Sequence, residues 1–121
     1  MTEDGYVPVK PKTLETRFPD VYAVGDCAKQ GTPKAGVFAE GAARAVAAAL
    51  IARLRNQQVP VTHKGTGSCY IEFGAGRIGR VDIDFFSNLD GLTRTYYESS
   101  IAMRVDKEHF GSSRRARWFG L

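Results

Sequence analysis

The feature that most constrains this chain is a short apolar run that stops abruptly at a glycine and an aspartate. Residues Val21 to Val24 are suited to a strand buried on both faces, and Gly25 and Asp26 follow directly. In open α/β sheets, ligands bind outside the carboxyl ends of the strands. We therefore expect Gly25 to let a ligand approach the backbone and Asp26 to contact that ligand. The alternative is a structural aspartate that caps the next loop.

Size and composition indicate a globular protein with its own core. The chain has 121 residues, of which 43% are hydrophobic and 25% charged. Its acidic start is unlike a secretory signal, and two cysteines are too few for a disulfide scaffold, so we expect a cytoplasmic protein. Much of the net charge of +4 lies in Arg114, Arg115 and Arg117. Three arginines without a stacking platform do not predict nucleic-acid binding.

The first half of the chain predicts a strand and a long helix. Residues Gly5 to Lys10 can form a short edge strand, since the prolines there forbid a central one. A helix is predicted from Gly36 to Asn56 because the segment is rich in alanine and contains no proline. Its predicted inner face carries residues at helical spacing, namely Phe38, Ala42, Val46, Leu50 and Leu54.

In the second half of the chain, the apolar residues recur with a period of two, which is typical of strands. Residues 68–73 and 80–86 alternate between apolar and polar side chains, which predicts an antiparallel hairpin with one face in water. Residues 92–97 form either a third strand or the approach to a helix over residues 98–115. The predicted apolar faces are Cys69, Ile71 and Phe73 in the first strand, Val81, Ile83 and Phe85 in the second, and Ile101, Val105 and His109 in the helix.

These elements predict an α+β fold with two domains. We expect residues 1–57 to be a remnant of a ligand-binding α/β domain, made of a strand plus a long helix. We expect residues 58–121 to be a small antiparallel sheet with a carboxyl-terminal helix, acting as an interface domain.

A glycine-rich match between the two alternating strands does not predict a dinucleotide site. Residues 74–79 fit the pattern Gly-x-Gly-x-x-Gly, which requires a helix to begin at its third glycine. Here the pattern is followed by Arg80 and a run of period two. The glycines are therefore predicted to form a hairpin turn with positive φ angles.

The start of the long helix is a candidate for binding an electron-rich group. Helix amino termini carry about half a positive charge and unpaired N–H groups. Lys34 would add a full charge, and Gly36, preceded by Ala35, would permit close approach. An ordinary helix start with a solvated lysine is the equally simple alternative.

The stretch Thr-Arg-Phe-Pro-Asp-Val-Tyr-Ala-Val-Gly-Asp over residues 16–26 resembles a flavin-contacting motif of the FAD-dependent pyridine nucleotide-disulfide oxidoreductases. After that motif the chain continues with Pro-Lys-Ala-Gly, an alanine-rich helix and then Cys-Tyr. This order of features is similar to that in the sulfide:quinone oxidoreductase and flavocytochrome c sulfide dehydrogenase branch. The resemblance implies that Asp26 accepts a hydrogen bond from the ribityl chain of FAD. It also implies that Gly25, Lys34, Ala35 and Gly36 contact the cofactor, and that the parent enzyme moves electrons from sulfide or NAD(P)H through FAD.

The two cysteines are expected to have different roles. A cysteine on an apolar strand face is by itself most often a small core residue. In the branch named above, however, Cys69 matches a catalytic cysteine that forms a redox disulfide with a cysteine of the central domain. Cys27, next to Asp26, is expected to pack structurally near the cofactor.

The chain is expected to be the carboxyl-terminal part of a longer flavoenzyme and inactive alone. A flavin fold of this type needs a glycine-rich βαβ unit ahead of Val21, so the missing amino-terminal part of the same enzyme is the expected partner. The alternative is a non-catalytic dimerisation module of a homo-oligomer, with aromatic side chains that suit an interface: Phe85, Phe86, Tyr96, Tyr97, Trp118 and Phe119. Trp118 and Phe119 beside the arginines leave weak peripheral contact with a membrane open.

Overall fold

The computed structural model describes residues 4–59, 62–88 and 91–121 and contains both helices and sheets. In chain order the elements are β1 (Val7–Pro8), a 3₁₀ turn (Gly25–Cys27), β2 (Ala28–Lys29), α1 (Gly36–Leu54), β3 (Thr66–Glu72), β4 (Ile78–Asp84), β5 (Thr93–Ser100) and α2 (Met103–Phe119). Strands β1 and β2 form a parallel pair, and β3, β4 and β5 form an antiparallel sheet in that order. The predicted α+β class is confirmed.

The chain divides into two compact units. The first comprises Met1–Gly67 and Ile83–Thr93, and the second comprises Ser68–Asp82 and Arg94–Leu121. The first unit thus takes in residues 58–67, which the sequence assigned to the second domain. Within the described ranges, neither helix combines the length and the apolar character that a membrane crossing requires.

Helix α1 lies close to its predicted bounds, and Phe38 and Ala42 on its predicted inner face are buried, but the second half of that face is different. It begins after Ala35, whose backbone is extended, and ends at Leu54, two residues before the predicted end. Its buried residues are Phe38, Ala42, Ala45, Ala49 and Ala52. The prediction that Leu50 and Leu54 face inward is wrong, because Leu54 is 85% exposed. Apolar residues occur on all sides of this helix, so their spacing alone does not identify the buried side.

The core of the first unit forms where the small residues of α1 meet Leu14. Leu14 is fully buried and packs with Ala42 and Ala45. Its φ angle of 61° is unusual for a leucine. Backbone hydrogen bonds hold that conformation: the Leu14 N–H donates to the Lys10 carbonyl at 2.8 Å, and the Leu14 carbonyl accepts from Ala23 at 3.2 Å. Alanines on the helix leave room for this side chain.

Strand β1 confirms the predicted edge strand between residues 5 and 10. Val7 pairs with Ala28, and Pro8 with Lys29. Pro8 is tolerated because an edge strand does not need every N–H for pairing.

The fully buried strand predicted over Val21 to Val24 is wrong. Tyr22 makes a single bridge to Glu15, and Val21 is 49% exposed. A strand buried on both faces needs neighbouring strands along its edges, and within the described residues only that single bridge pairs with this segment.

The turn between β3 and β4 confirms that the glycine-rich pattern is not a nucleotide fingerprint. Gly74, Ala75 and Gly76 all have positive φ angles. The N–H of Phe73 donates to the carbonyl of Arg77 at 3.0 Å, which closes the hairpin. Strand β4 follows at Ile78, so no helix begins at the third glycine.

In the first strand of the hairpin the faces are the reverse of the prediction, whereas in the second strand Val81 is buried, as predicted. Ile71 and Phe73 are 47% and 63% exposed. Tyr70 and Glu72, predicted to face water, instead contact α2, through a ring contact with Phe110 and an ion pair with Lys107, respectively. The helix therefore covers a polar sheet face, where charged and hydrogen-bonded side chains replace an apolar stripe.

Helix α2 begins later than predicted because β5 continues to Ser100. Residues 92–97 therefore belong mainly to a third strand. The predicted inner residues Ile101, Val105 and His109 are all exposed. The inward side of α2 carries Asp106 and Phe110 instead, one helical turn apart, and both contact Tyr70.

Replacing Gly65 by alanine is expected to destabilise the first unit more than the same change at Gly31. Both glycines have positive φ angles and face the ring of Phe86. A Cβ at Gly65 would lie 2.5 Å from that ring, whereas one at Gly31 would lie at an ordinary 3.7 Å. We expect a loss of about 2–4 kcal/mol for Gly65→Ala and about 1–2 kcal/mol for Gly31→Ala, measured by urea unfolding. Equal losses would show that Phe86 moves aside freely.

Candidate functional site

The candidate site begins at the turn that follows the apolar run. Val24 is extended, and Gly25 has a φ angle of 78°, a conformation that favours glycine. A Cβ built on Gly25 would lie 3.8 Å from the Cβ of Ala39, so the turn packs beside the first turn of α1. Asp26 is exposed. Among the described residues its carboxylate has no hydrogen-bond or ion-pair partner, so the loop-capping alternative has no contact to support it.

The start of α1 offers backbone donors near that turn. The Ala35 carbonyl accepts the N–H groups of Phe38 at 3.0 Å and Ala39 at 3.2 Å. No acceptor for the N–H of Gly36 or Val37 occurs in the part of the chain that the structure describes. A Cβ at Gly36 would meet no atom within 4 Å, so the approach to these donors is open.

Lys34 is directed toward its own chain. Its ammonium donates to the Ala28 carbonyl at 2.6 Å and lies 4.0 Å from the centre of the Tyr6 ring. These contacts tie the loop before α1 to the segment that carries β1 and β2. The role of Lys34 at a flavin stays a prediction.

The cysteines differ in burial, and each lies in a different unit. Cys27 is exposed, so the expected packing role is wrong; its thiol donates to the Val24 carbonyl at 3.4 Å and closes the 3₁₀ turn. Cys69 lies in β3, is half-buried and is also a free thiol. The structure thus brings Gly25 and Asp26 beside α1 in the first unit, while Cys69 belongs to the second.

A polar network lies next to Cys69 along the chain, and the sequence analysis missed it. The Tyr70 hydroxyl donates to Asp106 at 2.8 Å, and Arg80 donates to the same carboxylate at 2.9 Å. Arg80 also binds Asp82 through two donors at 2.8 and 2.9 Å. Its guanidinium lies 5.3 Å from the centre of the Tyr97 ring. The network ties strands β3 and β4 to helix α2.

The network shifts the pKa values of its members. The Tyr70 hydroxyl and then Arg80 lower the pKa of Asp106, because both donate to its ionised form. Arg80 lowers the pKa of Asp82 in the same way, and Asp82 raises the pKa of Arg80. Burial, followed by the hydrogen bond to Asp106, raises the pKa of Tyr70. The network therefore contains one cation and two carboxylates at neutral pH.

The aromatic residues predicted to form an interface fall into two groups. Phe85 contacts Phe38 with ring centres 5.5 Å apart, and Phe86 contacts His63 at 5.7 Å, so both contribute to the first unit's own packing. The exposed members are Tyr96, Tyr97, Trp118 and Phe119. Homo-oligomer formation and membrane contact through these side chains stay predictions.

Comparisons with known proteins do not identify a family. No protein-family model matches the chain, and no curated protein matches it significantly. Within the described ranges, no group of three or more histidine, cysteine, aspartate or glutamate side chains could hold a metal ion. The candidate site is therefore argued from its own geometry.

Stability of the second unit is expected to fall in acid through Asp106. Its pKa is lower in the folded protein than the ordinary value of 3.8, so its contribution is present above that value and is lost as pH falls through the lowered folded pKa. Asp106→Asn should reduce stability at pH 7 and flatten its dependence below about pH 4, as measured by urea unfolding over a pH series.

A matched control is Glu108→Gln. Among the described residues, Glu108 forms an ion pair with Arg104 alone, exposed and one helical turn away, and such pairs contribute about 0.3–0.5 kcal/mol. If Asp106→Asn keeps the acid dependence of the unmodified protein, the network does not set it.

Proposed function

We propose that this chain is the carboxyl-terminal part of an FAD-dependent oxidoreductase whose parent enzyme moves electrons from sulfide or NAD(P)H to an acceptor. The observation that carries the proposal is the exposed carboxylate of Asp26, without a partner among the described residues, in a turn packed against the first turn of α1. Residue order around this turn, which resembles that of the flavoenzymes named above, supports the choice of FAD.

The residues present fit the chemistry of this cofactor. A carboxylate only accepts hydrogen bonds, so Asp26 suits the hydroxyl groups of a ribityl chain. The N–H groups of Gly36 and Val37 only donate, and they suit a carbonyl edge that becomes negative on reduction. Gly36 leaves that edge unobstructed. The flavin supplies the electron chemistry, while the protein supplies position and field.

The remainder of the proposed flavin site must come from a glycine-rich βαβ unit. Such units hold the pyrophosphate at a helix amino terminus, and the one glycine-rich match in this chain forms the β3–β4 turn instead. We therefore propose the amino-terminal part of the same enzyme as the partner of this chain. The chain alone is expected to show no turnover.

Cys69 is proposed as the thiol that takes part in the redox reaction of the parent. It is a free, half-buried cysteine in β3, and the Cys-Tyr order supports the match to the redox cysteine of the sulfide-oxidising branch. The thiolate is the reactive form of cysteine, so the proposed role requires a positive environment in the complete enzyme.

Removing the carboxylate of Asp26 is expected to weaken FAD binding in the full-length enzyme. A hydrogen bond to a charged group contributes about 1.5–3 kcal/mol, which corresponds to about a ten- to hundredfold loss of affinity in Asp26→Ala. FAD retained after dialysis, measured by the visible spectrum, checks this result. Asp26→Asn keeps an acceptor oxygen, so its FAD retention should lie between that of the unmodified enzyme and that of Asp26→Ala.

The control for this experiment is Asp20→Ala. Asp20 is an exposed carboxylate of the same unit that pairs with Arg53, so the change in charge is the same. FAD retention in Asp26→Ala equal to that of Asp20→Ala would contradict the assignment of Asp26.

The two cysteines provide a matched pair for testing the redox role. Cys69→Ser in the full-length enzyme should abolish reduction of the flavin by sulfide while leaving FAD bound, because serine cannot form a disulfide. Cys27→Ser should retain activity, since its thiol contacts only the Val24 carbonyl among the described residues. Stopped-flow absorbance with sulfide makes the measurement. Full activity of Cys69→Ser would leave Cys69 as a packing residue.

A further inference from the structure

One cavity of the first unit is separate from the residues proposed to bind flavin. Its volume is about 250 Å³, and it is lined by Lys12, Thr62, His63, Lys64, Phe86 and Ser87. These residues come from three chain segments, of which two are joined directly: the N–H of His63 donates to the Lys12 carbonyl at 2.7 Å. The fold therefore places two lysines at one cavity.

Two lysines bring positive charge to this cavity. Lys12 and Lys64 are both exposed, and neither ammonium has an ion-pair partner in the described part of the chain. The carboxylate nearest to the cavity along the chain is Asp84, which accepts the backbone N–H groups of Phe86 and Ser87 at 3.0 Å each. The hydrogen bond from the Ser87 side chain, followed by the one from its backbone N–H, lowers the pKa of Asp84, so both groups of Ser87 are directed to that carboxylate. The cavity thus has a local excess of positive charge.

His63, which also lines this cavity, adds a buried polar atom without a partner among the described residues. The residue is only 3% exposed, and its Nε2 has no hydrogen-bond partner among the described residues. A Cβ built on Gly41 of α1 would lie 3.2 Å from Cε1 and 3.3 Å from Nδ1, so that edge of the ring packs against the helix. Native proteins rarely leave a buried polar atom without a partner.

We propose that this cavity binds a phosphate group, held by the ammonium groups of Lys12 and Lys64 and by the hydroxyl group of Thr62. A phosphate offers several acceptor oxygens to such donors, and lysine binds phosphate as a point charge. The group is either free phosphate or the phosphate of a small ester whose organic part contacts Phe86. The inference does not depend on the flavin proposal, because no residue is shared between the two sites.

The test uses the two histidines of the chain as reporters. Imidazole signals of the isotope-labelled protein are followed by NMR at constant pH and ionic strength, in separate titrations with inorganic phosphate and with phenyl phosphate. We expect the signals of His63 to shift and saturate, and those of exposed His109 in α2 to stay in place. Tighter binding of phenyl phosphate would identify an ester as the natural ligand, and equal binding would identify free phosphate.

Variants at exposed lysines test the donors without disturbing the core. Lys12→Ala and Lys64→Ala should each weaken phosphate binding about three- to tenfold at low salt, and the double variant should abolish it. Lys10→Ala removes the same charge from the same segment, but Lys10 pairs with Glu15 at 2.9 Å, so binding should not change.

Three results would overturn the proposal. The first is the absence of a saturable shift of the His63 signals with either phosphate compound. The second is an equal shift of the His63 and His109 signals. The third is an equal loss in Lys10→Ala and Lys12→Ala, because binding would then follow net charge and not this cavity.

Discussion

The packing of Leu14 against the alanines of α1 is the contact on which the first unit depends. Leu14 is fully buried, although its left-handed backbone costs about 1–2 kcal/mol. Burial of a leucine side chain contributes about 1.5–3 kcal/mol, which offsets that cost. The Leu14 carbonyl in turn accepts the N–H of Ala23 at 3.2 Å, which holds the segment leading to Gly25 and Asp26 beside the helix. A core residue thus sets the position of the exposed carboxylate.

The second unit is stabilised by a different kind of contact. Arg80 binds two carboxylates and lies near two aromatic rings, so its positive charge is matched and its flat faces are covered. Because Tyr70, Arg80 and Asp106 come from three different elements, removing any one leaves the others with unmet hydrogen bonds. This arrangement explains how α2 packs on the sheet with Phe110 as its aromatic contact.

Local signals in the sequence were sufficient where one short segment decides the structure. Alanine content predicted α1 to within two residues, and the glycines of the β3–β4 turn were identified by the alternating strands around them. Side-chain direction was less predictable. The inward face of α2 depends on hydrogen bonds between Asp106 and residues 26 and 36 positions earlier, and no periodicity within the helix contains that information.

At the candidate site too, features set by local sequence differ in predictability from those set by contacts distant along the chain. The 3₁₀ turn over Gly25–Cys27 was not predicted, because a buried strand was expected to lead into Gly25. The start of α1 at Gly36 follows from local residue preferences and was predicted. Lys34 was not, because its partners Ala28 and Tyr6 are determined by the pairing of β1 with β2. A solvated lysine was an equally simple expectation, but the Lys34 ammonium donates to the Ala28 carbonyl instead, and its contact with a ligand stays a prediction.

The two kinds of polar group at the proposed flavin site restrict what it can bind. Asp26 offers only acceptors, whereas the N–H groups at the start of α1 offer only donors. A phosphate would satisfy the helix terminus but would be repelled by the carboxylate, and a metal ion would be attracted by the carboxylate but repelled by the helix terminus. A ligand that carries hydroxyl donors on one part and an electron-rich carbonyl edge on another satisfies both. That requirement favours a flavin with its polyol chain over either simple ion.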